Sequence, residues 1–407
     1  MNLKILGETG VVKGHLKITG SKSESNRLLI LQALFSEIKI HNLSNSDDTQ
    51  VLQKALASSD EVIDIHHAGT AMRFLTAYFA IREGREVVLT GSERMKERPI
   101  SILVDALRQL GAEIDYVNQK GFPPLRIKGK KLTHNEVMVD SNVSSQYISA
   151  LMLIGSSLPG GLQIHLHGKI TSTPYIEMTL KIMKECGITG TFEGDRIMIE
   201  PAKKVKPVTV EVESDWSSAS YFYSMVALSK EAKISLSSYR KESYQGDKAV
   251  AGIYKPLGVQ TTYEDGKITL SKTNFKKPRL LELDLCGSPD LAQTIAVTCF
   301  GLGINCELTG LRTLRIKETD RLQALQNEIE KLGGRVEITI DSLRLSPVSN
   351  PYHGIKIDTY NDHRMALAFA PLALKFPLEI ADAEVVSKSF PGFWNSLRDL
   401  GFSVEEF

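Results

Sequence analysis

Apolar and polar positions along this chain fall into two alternating rhythms. Strict alternation marks short strands, as in Arg196-Ile197-Met198-Ile199-Glu200 and Lys267-Ile268-Thr269-Leu270. Between such strands run amphipathic helical stretches, and five of them end in a glycine: Leu-Arg-Gln-Leu-Gly111, Met-Lys-Glu-Cys-Gly187, Tyr-Lys-Pro-Leu-Gly258, Glu-Lys-Leu-Gly333 and Leu-Arg-Asp-Leu-Gly401. Successive glycines lie 76, 71, 75 and 68 residues apart. Glycine at that point fits a helix C-cap, where a positive φ costs it nothing. A second signal interleaves with the first, a small polar turn followed by an apolar helix. It appears at Ser25-Asn26-Arg27, Gly69-Thr70-Ala71, Ser144-Ser145-Gln146, Ser217-Ser218-Ala219, Ser288-Pro289-Asp290 and Asn361-Asp362-His363. Six turns with their helices imply six copies of one α/β unit, each with two helices and strands between them.

The helices that follow the turns are apolar on most sides, as in the stretch from Ser145 to Ile154, so they belong inside a domain. The chain opens on strands with no helix before them (Lys4-Ile5-Leu6 and Leu16-Lys17-Ile18-Thr19) and closes on a helix with one short strand after it. The simplest closure lets the N-terminal strands complete the last unit. That predicts a discontinuous domain of residues 1–20 plus 214–407 and a continuous one of residues 21–213, with a hinge at the crossings near Gly20 and Ser214.

Composition narrows the class without naming it. At 407 residues, 42% hydrophobic and 24% charged, the chain reads as globular with two or three domains. Forty-nine basic residues balance 48 acidic ones, so no global field marks a nucleic-acid or membrane binder. Apolar runs such as residues 366–374 are far shorter than the roughly 18 residues a spanning helix needs. Cys186, Cys286, Cys299 and Cys306 form no CxxC pair and read as core thiols of a reducing, cytoplasmic compartment.

The familiar catalytic motifs are missing. Gly14-x5-Gly20-Ser21-Lys22 has the wrong spacing for a phosphate loop, and there is no GxSxG, HExxH or strand-linked GxGxxG. His165 and His167 share a strand face but have no further ligand at metal spacing, so they read as a half-exposed strand. The six turns carry more. Each opens a helix, and free N–H groups give helix N-termini partial positive charge. Equivalent positions of a repeat lie at one end, so these termini should line an anion-binding cleft. Eight cations lie near them: Lys22, Arg27, Arg73, Arg98, Lys317, Arg321, Arg364 and Lys388. Any one could merely solvate a surface turn; eight clustered cations in a near-neutral chain could not. Lys317 and Arg321, four apart, are expected on one face of a helix start. Asp290 and Glu318 are the acids among these cations, and each also has a plain structural reading, as a helix-start acid or a surface ion pair.

Taken together, the turns resemble the 5-enolpyruvylshikimate-3-phosphate synthase family. The resemblance is carried by Gly20-Ser21-Lys22-Ser23-x-Ser25-Asn26-Arg27, Ala68-Gly69-Thr70-Ala71-Met72-Arg73 and Arg94-Met95-Lys96-Glu97-Arg98-Pro99-Ile100. It continues through Val143-Ser144-Ser145-Gln146, Arg315-Ile316-Lys317-Glu318-Thr319-Asp320-Arg321, Tyr360-Asn361-Asp362-His363-Arg364-Met365-Ala366 and Lys388-Ser389-Phe390-Pro391. These stretches run in order over nearly the whole chain. The resemblance implies a two-domain inverted α/β barrel, each domain built from three βαβαββ repeats, with the active site in the cleft between the domains. It implies transfer of the enolpyruvyl group of phosphoenolpyruvate to the 5-hydroxyl of shikimate 3-phosphate, releasing phosphate, with no metal or cofactor. The expected partners are these two substrates, with no nucleic acid and no membrane, and the chain acting as a monomer.

Residue roles follow from the same resemblance. Ser23 and Arg27 would hold the shikimate carboxylate, and Ser144, Ser145, Ser172 and Lys317 the 3-phosphate. Tyr175 would pack on the ring, and Gln146 would bridge both substrates. Lys22, Gly69, Arg98, Arg321, Arg364 and Lys388 would hold phosphoenolpyruvate, with Lys22 also reaching the acceptor. Asp290 would take the 5-hydroxyl proton and touch the acceptor, Glu318 would protonate the enol methylene, and Lys22 completes the catalytic set. Glyphosate would compete with phosphoenolpyruvate for the same cations. The chain departs from the common family pattern at His67, Phe74 and Thr313, so the resemblance assigns neither an inhibitor response nor a phosphate contact at Thr313. The related UDP-N-acetylglucosamine enolpyruvyl transferases typically carry a reactive loop cysteine, and none falls within residues 90–105. An RNA-end phosphate cyclase would call for a nucleic-acid surface, which the charge balance does not supply. A non-catalytic anion clamp would have no use for both Asp290 and Glu318.

Overall fold

One repeat accounts for most of the backbone. Strand Leu280–Asp284 leads through helix Ala292–Leu302 to a parallel partner, Asn305–Thr309; helix Arg321–Lys331 then leads to the antiparallel strands Arg335–Ile338 and Leu343–Ser346. A parallel pair needs such a crossover, whereas the closing strands need only a tight turn. The sheet order is first, second, fourth, third, with Leu281 beside Cys306 and Cys306 beside Leu345. A computed structural model describes residues 1–7, 9–140, 144–168, 170, 173–348, 352 and 354–407 of the chain.

The chain divides into two compact units, Met1–Thr19 with Glu213–Phe407, and Gly20–Val212. In the first, the N-terminal strand Leu3–Gly7 inserts between Leu378–Ile380 and Phe402–Glu406, where Ile5 faces Leu378 on one side and Val404 on the other. Strand Val11–Lys17 pairs in parallel with Glu231–Ser237, across the whole sequence of the second unit. Strand Leu3–Gly7 therefore completes the C-terminal repeat, whereas Val11–Lys17 opens the repeat that resumes at Trp216, so the expectation that both N-terminal strands complete the last unit holds for the first alone. The Gly20–Val212 unit holds two four-stranded sheets and one pair, Val208–Glu211 beside Ile38–His41.

That two-stranded sheet refines the expectation of six equal repeats. Helix Asp47–Ala57 is separated from strand Val62–Asp64 by residues 58–61 alone, too few for a hairpin. It is also the repeat without a glycine-terminated helix, since its C-cap is Ser58 with φ −75°. The other five repeats each have a glycine-terminated helix; four close on a hairpin, and the last closes on Phe402–Glu406 paired with the N-terminal strand Leu3–Gly7. Gly111, Gly187, Gly258, Gly333 and Gly401 all take positive φ, between +80° and +99°.

Three buried helices pack on one another inside each unit: Lys22–Leu34, Gly69–Ala80 and Ser145–Gly155 in one, and Trp216–Leu228, Ala292–Leu302 and His363–Phe369 in the other. Every residue of Gly69–Ala80 is buried except Thr70, every residue of Ser145–Gly155 except Gln146, and every residue of Trp216–Leu228 except Ser217. Each exception is a polar residue in the first turn. Hydroxyl groups tie the interior helices together, as Thr298 Oγ1 donates to Ser224 Oγ at 2.7 Å. Among the described residues no helix is long and apolar enough to cross a membrane.

Two helix starts differ from the sequence pattern. The first helix begins at Lys22 and not at Ser25; Ser21 caps it and Ser25–Arg27 lie buried within it. At Ser288-Pro289-Asp290 a 3₁₀ turn, Pro289–Leu291, precedes the helix, and the Ser288 side chain makes no capping bond. Asp290 is thus freed from helix capping for another use.

Glycine caps give a direct test of this architecture. A Cβ at Gly187 would meet nothing within 4 Å, so alanine there adds only the left-handed backbone cost, about 1 kcal/mol. At Gly258 the same Cβ would lie 2.4 Å from Phe275 Cδ1. Gly258→Ala should therefore lower the urea midpoint at least twice as far as Gly187→Ala.

Candidate active site

In the Glu213–Phe407 unit, the first turns of the interior helices gather charge around Arg321. This arginine opens helix Arg321–Lys331, and only 2% of its side chain is exposed. Its Nε donates to Asp362 Oδ2 at 2.6 Å, its Nη1 to Asp290 Oδ1 at 2.9 Å and its Nη2 to Glu318 Oε2 at 2.8 Å. Three carboxylates hold one guanidinium. Asp362 also caps the His363–Phe369 helix, accepting from Arg364 N at 2.9 Å. Arg364 in turn places Nη2 3.2 Å from Asp290 Oδ2, while its Nη1 donates to Ser217 Oγ at 2.6 Å and to the Asp290 carbonyl at 3.2 Å. Lys317 Nζ lies 3.6 Å from Asp290 Oδ1, and Lys388 Nζ lies 3.5 Å from Glu318 Oε1.

Lys317 and Arg321 do not share a helix face. Lys317 ends the 3₁₀ turn Arg312–Ile316 in extended conformation, and Asp320 caps a new helix at Arg321. They meet at Asp290 because the chain turns between them. Burial would push the Asp290 carboxyl up, but Arg364, Lys317 and Arg321 together hold it far below the ordinary carboxylate range. Burial opposes the charge of Arg321 as well, and Asp362, Glu318 and Asp290 overcome it, raising its pKa.

In the Gly20–Val212 unit the arrangement is different. Lys22 Nζ donates to the buried Asp48 at 3.2 Å. Arg27 is 3% exposed; its Nε donates to Thr179 Oγ1 at 2.7 Å, its Nη1 to the Ser23 carbonyl at 2.8 Å and its Nη2 to Ser149 Oγ at 3.0 Å. Its Cζ lies 5.6 Å from the centre of the Phe74 ring and 5.9 Å from that of Tyr175. Burial lowers its pKa to about 10, with Tyr175 and Glu24 acting the other way, so it stays charged near neutrality. Ser144 caps the Ser145–Gly155 helix, and Gln146 Nε2 donates to Thr70 Oγ1 at 3.1 Å, joining the first turns of two helices. A Cβ at Gly69 would sit 2.5 Å from Arg98 Nη1, so the bare glycine lets Arg98 lie against that helix start. Ser172 lies outside the described residues.

Arg73 leaves the group of eight anion-seeking cations. Its Nη1 donates to the Gly69 carbonyl at 3.0 Å and its Nη2 to the Pro99 carbonyl at 3.3 Å, and its Cζ is 5.9 Å from the Tyr147 ring. It is a strut that links the Gly69 turn to the segment after Arg98. Asp48, Thr70, Ser149, Thr179, Ser217 and Asp362 are site-shaping residues to which the sequence reading assigned no role; Thr70, Ser217 and Asp362 stood in the helix-opening turns, and the other three in no motif.

Asp247 was also missed, because it sits in a 3₁₀ turn far from any motif. It is 7% exposed, and its pKa rises to about 7, first through burial and then through repulsion by Asp290, against the pull of Arg364. A carboxyl whose folded pKa exceeds its unfolded value favours folding below about pH 4 and loses that advantage as pH rises toward 7. Asp247→Asn stays neutral throughout. Its melting temperature relative to the unaltered protein should climb between pH 4 and 7 and level off above; a constant difference would contradict the assignment.

The comparisons agree on one family. The model of EPSP synthase (3-phosphoshikimate 1-carboxyvinyltransferase) matches residues 50–397. A 3-phosphoshikimate 1-carboxyvinyltransferase of Bacteroides fragilis strain YCH46 is 47% identical over 409 residues, covering 98% of each chain. The enzyme of the same description from Pasteurella multocida is 35% identical over 97% of each chain. Among solved structures, EPSP synthase from Acinetobacter baumannii superposes with a TM-score of 0.80 over 100% of both chains at 21% identity, a likeness of fold. With the family model spanning most of its length and relatives matching it nearly end to end, this chain belongs to the EPSP synthase (3-phosphoshikimate 1-carboxyvinyltransferase) family.

Proposed function

We propose that the protein transfers the enolpyruvyl group of phosphoenolpyruvate to the 5-hydroxyl of shikimate 3-phosphate, releasing phosphate, as a cytoplasmic monomer. The observation that carries the residue assignment is Asp290, a half-buried carboxylate contacted by Arg321, Lys317 and Arg364. Arg27 and Ser23 take the acceptor's carboxylate, Ser144, Ser145 and Lys317 its 3-phosphate, and Tyr175 its ring; Ser172 is assigned to the 3-phosphate by resemblance alone. Gln146 and Lys22 serve both substrates. Arg98, Arg321, Arg364, Lys388 and the Gly69 backbone serve phosphoenolpyruvate.

The chemistry requires one acid and one base. Protonation of the enol methylene makes the neighbouring carbon cationic, and the acceptor hydroxyl adds to it as it loses its proton. Loss of phosphate and of a methyl proton from the tetrahedral adduct then gives the product. In this reading Asp290 takes the hydroxyl proton. A carboxylate this strongly stabilised by cations is a weak base, so the substrates themselves must activate it. The 3-phosphate at Lys317 and the donor's anions at Arg321 and Arg364 would draw charge from the three groups that hold Asp290 acidic. The same logic governs Glu318. Arg321 and Lys388 favour its ionised form, and donor anions at those cations weaken that bias and let it carry a proton. Substrate binding would thus ready both acid and base. Fixed cations also stabilise phosphate as it leaves.

Phosphate release in the presence of both substrates, and its absence when either is omitted, is the direct assay; no release with both would end this reading. Asp290→Asn should lower kcat by about 10²–10⁴-fold and leave calorimetric affinity for shikimate 3-phosphate nearly unchanged. Arg364→Lys keeps the charge but loses the planar fork that now reaches Ser217 and Asp290 together. It should raise the KM for phosphoenolpyruvate while leaving acceptor affinity in place; an equal loss for both substrates would move Arg364 out of the donor set.

A further inference from the structure

Arg27 and Arg321 are both buried guanidiniums, yet they are stabilised in opposite ways. Three carboxylates surround Arg321. Among the described residues Arg27 forms no ion pair; two hydroxyls and one backbone carbonyl accept its hydrogen bonds. A guanidinium has five N–H groups, and these bonds use three. Among the described residues one N–H on each terminal nitrogen has no protein acceptor, and a carboxylate has two oxygens to receive such donors.

Burial without an ion pair should be costly for a cation, and Glu24 offsets that cost only in part, since burial still lowers the pKa of Arg27. Two aromatic rings lie within cation–π range of it, those of Phe74 and Tyr175. Their electron-rich faces support the charge without consuming an N–H and without cancelling it. A carboxylate in their place would stabilise Arg27 but repel the acceptor's own carboxylate. Tyr175 already has an assigned contact with the acceptor ring. Phe74 does not: it lies on the Gly69–Ala80 helix, is 1% exposed, and the reading above gives it no contact with either substrate.

We propose that Phe74 is a positioning residue for acceptor recognition, its ring holding the Arg27 guanidinium charged and oriented with two N–H groups presented to the acceptor's carboxylate. The inference rests on the assignment of that carboxylate to Arg27. Simple core filling is the competing account, since any large apolar side chain would occupy the same volume. The two accounts differ in what an aliphatic replacement does. Phe74→Leu and Phe74→Met keep most of the apolar volume and remove the π face; Phe74→Tyr keeps the face.

The test compares shikimate 3-phosphate with its analogue lacking the ring carboxylate, both titrated by calorimetry in the absence of phosphoenolpyruvate. Leucine and methionine variants should bind shikimate 3-phosphate about 3–10-fold more weakly, the scale of a lost cation–π contact, and bind the analogue as the unaltered protein does. The tyrosine variant should retain affinity for both. With saturating acceptor, kcat and the KM for phosphoenolpyruvate should stay near their original values. Equal weakening toward both ligands, or an undiminished affinity for shikimate 3-phosphate in a variant that melts normally, overturns the role of Phe74. If the unaltered protein binds the analogue as tightly as shikimate 3-phosphate, the assignment of the carboxylate to Arg27 fails, and the inference fails with it.

Discussion

The contact of Asp290 with Arg321, Arg364 and Lys317 is the constraint on which the charged cluster of the Glu213–Phe407 unit depends. Four cations, the fourth being Lys388, stand against three buried or half-buried carboxylates and the titrating Asp247. Ion pairs like these are poor sources of net stability, because desolvation offsets most of the Coulomb gain. Their value is preorganisation. Without anionic substrates, four converging cations would repel one another or draw solvent into the fold. The internal acids hold them in place, so that in the proposed function little reorganisation remains for the reaction itself.

The acids differ in how they combine helix capping with charge pairing. Asp362 caps a helix and pairs with Arg321. Asp290 leaves capping to a 3₁₀ turn, and its side chain is available to the cations. Removing either acid would leave a buried guanidinium undercompensated, which costs far more than the pair gains when intact. In the Gly20–Val212 unit Arg27 is held instead by two hydroxyls, a backbone carbonyl and two aromatic rings, and among the described residues it makes no ion pair. Neutralised cations suit a site where charge moves during the reaction. A cation left unneutralised suits a site that binds a fixed carboxylate.

Much of the fold was legible in the chain. Five glycines at a spacing near 70 residues marked five helix ends, and all five adopt positive φ because an L side chain is strained there. The mismatch between five glycines and six polar turns was legible as well, and the structure explains it: the repeat without a glycine has no room for its closing hairpin. Of the N-terminal strands expected to complete the last unit, Leu3–Gly7 does so, whereas Val11–Lys17 joins the sheet of Glu231–Ser237.

The sequence by itself determined the repeat, the apolar interior helices and the residue types at their first turns, because glycine caps, periodicity and turn chemistry are local properties. It could not tell which cation serves as ligand and which as strut. Arg73 and Arg98 lie 25 residues apart in equally polar turns, yet backbone carbonyls of Gly69 and Pro99 claim Arg73 and leave it no such role. Nor could it find Asp247, whose perturbed titration arises from burial beside Asp290, 43 positions away. Lys317 and Arg321 converge through a chain reversal and not through the helical spacing that first paired them. Only the tertiary structure settles such matters, because desolvation, π contact and ion pairing depend on distances that sequence separation does not encode.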